Sequence, residues 1–91
     1  MNDIATILKS VLTEIKGNDF SQISPDLDLI QGAEVDSIEF IELFFKTEQK
    51  LNLELEFYDL KMFCRSRRAA GDLRILFGDV VDYIDTVISK A

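Results

Sequence analysis

The chain has 91 residues, 47% of them apolar, which allows one small domain with a modest core and is too apolar for a disordered chain. Histidine is absent and Cys64 is the only cysteine, which excludes an internal disulfide, a zinc site and any Ser/His or Cys/His dyad. The net charge of −7 is split into −9 over residues 1–60, +4 over 61–74 and −2 over 75–91, an acidic body that argues against nucleic-acid binding and favours partners with basic patches, while also serving solubility.

The first residues, Met1-Asn2-Asp3, lack the basic start and apolar run of a signal peptide, and no stretch approaches the ~18 apolar residues of a membrane span. The expectation is a complete, free-standing cytoplasmic protein, residues 1–91 forming a single domain. Ile4, Ile7, Leu8, Val11, Leu12 and Ile15 recur at helical spacing, predicting an amphipathic first helix near 3–16. Asn2 or Asp3 would cap its start, and Gly17-Asn18 would stop it.

Residues 17–36 carry Ser21, Ser24-Pro25-Asp26, Asp28 and Gly32, all turn or breaker residues. So long a connection needs tying down, and Phe20, Ile23, Leu27, Leu29 and Ile30 are the expected ties. A second helix near 37–50 would bury Phe40, Leu43, Phe44, Thr47 and Leu51, with Ile38, Ile41, Phe45 and Glu48 along a neighbouring row. Glu39 and Glu42 near its start and Lys46 and Lys50 near its end suit the helix dipole. Leu51 to Phe57 alternates as a strand would, but no other run could pair with it, so it reads as an extended connection. A short third helix is expected near 58–64 and a last one near 79–89, capped by Asp79. Between them lies the basic stretch 64–74, which reads either as a helix extension or as a mobile loop. The fold class is all-α: a small antiparallel bundle of three main helices plus a short third one, with a long loop between the first two.

Asp36-Ser37-Ile38-Glu39 stands where loop gives way to helix. With Asp36 at N-cap and Glu39 at N3 it reads as a capping box, a common helix start that implies no chemistry by itself. It also leaves Ser37 at the first helical position, its hydroxyl unneeded for capping and directed to solvent. The unpaired N–H groups and partial positive charge of a helix start suit a phosphate ester there. Ile38 is apolar at a position that is often exposed, either packing on the preceding loop or contacting a partner.

Taken together, the amphipathic first helix, the long loop with scattered hydrophobics, Asp-Ser-Ile-Glu, Lys50-Leu51-Asn52-Leu53-Glu54-Leu55 and Phe77-Gly78-Asp79-Val80-Val81-Asp82-Tyr83-Ile84 resemble the acyl carrier protein family over most of the chain. The resemblance implies a carrier and not an enzyme. Ser37 would accept 4′-phosphopantetheine from coenzyme A through a phosphopantetheinyl transferase, and the arm's thiol would carry an acyl group as a thioester. Asp36 would help the transferase dock. Ile38, Glu39, Glu42 and Glu48 would be read by acyl-transferring or condensing enzymes with basic patches, in fatty-acid, polyketide or related biosynthesis. A peptidyl or aminoacyl carrier is the close variant, and a monomer is expected, with no metal. The reading from another class is an unmodified, acidic helical adaptor that binds a basic protein.

Two departures from the family stand out. The chain between Leu55 and Gly78 is about ten residues longer than the family's pattern, a surface lengthening that costs little. Arg65, Arg67 and Arg68 within it are either solvated or a docking patch for a different partner. Phe40, Phe44 and Phe45 are bulkier than the family's aliphatics, and would fill or open the space where an acyl chain folds back between the second and last helices. Cys64 reads as a semi-buried thiol, or as a redox group if neighbouring arginines lower its pKa.

Overall fold

The computed structural model describes residues 4–90 and contains four helices: α1 (Ile4–Lys16), α2 (Ser37–Leu51), α3 (Phe57–Ser66) and α4 (Phe77–Lys90). The expected cap at Asn2 or Asp3 lies outside the described residues. None of the four is long and apolar enough to cross a membrane. α1 packs on α2 and α4, and α3 packs on α4 and α2. Their apolar faces meet in one core, where Leu8, Leu12, Leu43, Leu60 and Ile84 are almost completely buried. Burial of each such side chain is worth about 2 kcal/mol. α1 stops as its sequence requires: Gly17 takes φ +77°, open to glycine without strain, and its N–H donates to the Thr13 carbonyl at 2.9 Å.

The long loop 17–36 is held by its backbone as much as by its side chains. The Leu29 N–H donates to the Ile75 carbonyl, the Phe77 N–H to Leu27 and the Gly78 N–H to Pro25, each at 2.8 Å. An isolated antiparallel bridge joins Asp28 and Leu76. Phe20 and Leu29 are buried and Ile23 and Leu27 partly so, but Ile30 is 42% exposed and ties nothing. Gly32 sits where a Cβ would come within 2.6 Å of the Asp28 carbonyl oxygen, so no other residue fits without moving the backbone.

The second half corrects several expectations. α3 continues to Ser66, two residues past its expected end, so the basic stretch begins as a helix extension. α4 starts at Phe77, two residues before the expected cap. Asp79 is the third helical residue and reaches back, accepting the Leu76 N–H at 2.9 Å. It is 4% exposed, and its charge is met by Arg68 at 2.7 Å and Arg67 at 3.2 Å. Arg67 also reaches Asp82 at 2.8 Å. Arg68 is largely covered and Arg67 stays exposed, but both guanidiniums are engaged by α4 carboxylates and anchor the end of α3 to α4.

Cys64 is buried and its pKa is pushed up to about 12, first by burial and then by Asp79, against the smaller opposing pull of Arg68 and Arg67. It is a neutral thiol, not an activated one. The extended connection 52–56 is fixed from both sides. The Leu55 N–H donates to the Glu48 carboxylate at 2.7 Å, and the Tyr83 hydroxyl bonds the Glu56 backbone as acceptor at 3.1 Å and donor at 3.2 Å.

Removing a cation from a buried pair leaves its partner uncompensated, so Arg68→Met should cost about 3 kcal/mol in urea unfolding, and Arg67→Met, at a more exposed guanidinium, clearly less. Equal losses would contradict the assignment of Arg68 as the main partner of Asp79. Thr47 is fully buried and its hydroxyl oxygen has no hydrogen-bond partner. Thr47→Val keeps the shape and removes that polar atom, and should raise stability by about 1 kcal/mol. A loss of stability would mean that the hydroxyl is satisfied.

Candidate functional site

The Ser37 turn is assembled from three separate parts of the chain. Val35 is buried and donates its N–H to the Leu29 carbonyl at 2.8 Å, which couples the turn to the pinned loop. Asp36 follows in extended conformation (φ −88°, ψ 178°) as N-cap of α2. Its carboxylate accepts the Glu39 N–H at 2.8 Å, and its own N–H donates to the Glu39 carboxylate at 3.1 Å. This is the capping box expected from the sequence.

The third part is Lys16, at the end of α1, which sequence reasoning did not single out. Its ammonium donates to both Glu39 carboxylate oxygens, at 2.9 and 3.1 Å, and to the Glu34 carbonyl at 2.9 Å. Glu34 has φ +56°, a left-handed conformation costing on the order of 1 kcal/mol for a residue with a Cβ. Lys16 thus ties α1 to a strained residue before Asp36 and to the carboxylate that completes the capping box. A lysine in the last turn of an amphipathic helix carries no sequence signal for this role, because its partners lie 18 and 23 residues away.

Ser37 is the first residue of α2 and is exposed. Of the N–H groups at this helix start, that of Glu39 is taken by Asp36. Ser37 borders a cavity of about 380 Å³. Phe40 and Phe44 form its buried side, Ile41 and Phe45 its rim, and Leu55 and Phe57 its far side. The rings are mutually braced: Phe57 lies 5.1 Å from Phe40 and 6.1 Å from Phe44, and Phe44 stacks on Tyr83 at 6.5 Å. The bulky rings therefore wall the space and leave it open. It lies between α2 and the start of α3. Phe57 was not foreseen; the only hint was its place at the end of the alternating run.

The remaining site residues divide in two. Ile38 (74% exposed), Ile41 (70%) and Phe45 (57%) form an apolar stripe on the outside of α2, with Glu42 exposed beside them. Glu39 and Glu48, expected as free surface carboxylates, are engaged inside the molecule by Lys16 and by the Leu55 N–H. The exposed face of α2 is consequently more apolar and less acidic than its sequence suggests. Among the described residues no group of three or more His, Cys, Asp or Glu side chains could hold a metal ion.

No family model matches the chain. Over 79 residues, 87% of this chain and 88% of the relative, it is 32% identical to the acyl carrier protein of Chlamydia caviae.

Lys16→Met should destabilise the protein by about 1 kcal/mol and speed amide exchange at Asp36, Ser37 and Glu39 more than elsewhere. Unchanged exchange at these amides would show that the capping box alone holds the turn.

Proposed function

This chain belongs to the acyl carrier protein family, whose members are carriers and not enzymes, and we propose that Ser37 is its attachment point for 4′-phosphopantetheine. The observation that carries the proposal is a serine exposed at the first position of a helix, bordering an apolar cavity. The residues fit the group. The hydroxyl is not consumed in capping, because Asp36 and Glu39 cap the helix between them. The helix start favours a phosphodiester, and the phenylalanine-walled space accepts apolar material. When bound, the group supplies a thiol on which an acyl chain is carried as a thioester.

The protein's own residues then have separable roles. The capping box and Lys16 hold the Ser37 turn in one geometry, so that a transferase meets a preformed site. Asp36 contributes local negative charge beside the serine. Ile38, Ile41, Phe45 and Glu42 form the face read by partner enzymes, with Glu39 and Glu48 contributing through the shape they maintain. Docking on such a face relies on apolar contact more than on rim charge pairs, each worth only about 0.2–1 kcal/mol. Fatty-acid, polyketide or related biosynthesis in the cytoplasm supplies the partners, acyl-transferring and condensing enzymes.

Intact-protein mass after incubation with coenzyme A and a broad-specificity phosphopantetheinyl transferase tests the reading. The wild type should gain one phosphopantetheine and Ser37→Ala none. No gain by the wild type, with a control carrier modified in the same tube, would overturn it. The exposed stripe on α2 would then belong to an unmodified adaptor.

A further inference from the structure

A second groove lies on the other side of Phe57, and its charge is opposite to that of the molecule as a whole. It has a volume of about 280 Å³ and lies between α3, the first loop and the lengthened segment. Its apolar lining is Ile30, Phe57, Leu73 and Ile75, with the neutral Cys64 thiol among them. Ile30 and Leu73 are large apolar side chains that the bundle leaves exposed, at 42% and 60%. The groove continues into a neighbouring hollow of about 260 Å³ that shares Ile30, Leu73 and Arg74.

Its rim is cationic. Lys61 and Arg65 stand one helical turn apart on α3, and no ion pair joins either to a carboxylate among the described residues. The Lys61 ammonium rests 5.8 Å from the centre of the Phe57 ring. Arg74, the third cation, is held by Asp72 through bonds of 3.0 and 2.9 Å. The other carboxylate nearby, Asp28, lines the adjoining hollow and accepts the backbone N–H groups of Ile30 and Gln31. Two uncommitted cations therefore remain beside an exposed apolar trough, on a chain whose net charge is −7. Arg67 and Arg68, the neighbours of Arg65 in sequence, are spent on Asp79 and Asp82, so Arg65 is the one arginine of the three left for a ligand.

We infer that this groove binds an aliphatic carboxylate, its chain lying along Ile30, Phe57, Leu73 and Ile75 and its carboxylate meeting Lys61 and Arg65. Charge complementarity selects the anion, since a cationic ligand would face two like charges at the rim. The trough selects an extended chain, because its volume lies near the ~300 Å³ lower end of small-ligand sites. The inference goes beyond the carrier reading and does not require modification of Ser37. Phe57 walls both this groove and the cavity beside Ser37, so occupants of the two would meet the same ring.

The test is titration of the full chain with octanoate below its micelle concentration, followed by two-dimensional amide NMR, with octanol and octylammonium as same-length controls. Saturable shifts centred on Ile30, Phe57, Lys61, Arg65 and Leu73 are expected, with octanol and octylammonium binding roughly tenfold more weakly. Lys61→Gln/Arg65→Gln should weaken octanoate by about the same factor and leave octanol unchanged. Leu73→Ser, at an exposed position, should weaken both. Three outcomes would overturn the inference: no saturable shift, equal response to all three ligands, or shifts confined to Ser37, Ile41 and Phe45, which would place the ligand in the other cavity.

Discussion

The arrangement rests on a short stitch of backbone hydrogen bonds between Pro25–Leu29 and Ile75–Gly78. A loop of this length would otherwise be free to place the Ser37 turn in many positions, at an entropic cost of about 1–2 kcal/mol for every residue fixed. The stitch is itself anchored. Asp79 holds the start of α4 by accepting the Leu76 N–H, and Arg68 and Arg67 hold Asp79. From Leu29 the constraint passes to Val35, whose N–H donates to the Leu29 carbonyl, and from Val35 to the cap of α2. The basic segment after α3 is thus part of the support of the Ser37 turn, connected to it through α4 and the loop.

Three carboxylates are used inward. Glu39 completes the capping box and receives Lys16; Glu48 receives the Leu55 N–H; Asp79 is buried among arginines. Each of these carboxylates gains more from a geometric role than an exposed ion pair would give, because partly buried charged hydrogen bonds are weakened less by water and salt. One consequence is an α2 surface dominated by Ile38, Ile41 and Phe45. The inward use of Glu39 and Glu48 leaves this face apolar.

Phe57 joins the two cavities. It packs against Phe40 and Phe44 on the side of Ser37 and beneath Lys61 on the other. The basic side exists because α3 runs on to Ser66, which places Lys61 and Arg65 on one face, and because the following segment returns Leu73 and Ile75 to them. The chain from the end of α3 to the start of α4 therefore has two physical consequences: the clamp on α4 and the groove at Phe57.

Local pattern determined much of this protein. The helical spacing of Ile4 to Ile15, the Asp36–Glu39 capping box, the glycine stop at Gly17 and the absence of a partner for the Leu51–Phe57 run are all properties of short stretches, because helix periodicity and capping act within a few residues. The placement of Ser37 at the start of α2 was legible for the same reason. Tertiary structure decided what depends on distant residues: that Lys16 braces the Ser37 turn, that Asp79 pairs with Arg67 and Arg68, that Glu39 and Glu48 are not free, and that Phe57 lines two cavities. A charged side chain looks the same in a sequence whether it faces water or a partner 23 residues away. Only the packing of the helices settles which neighbour reaches it first.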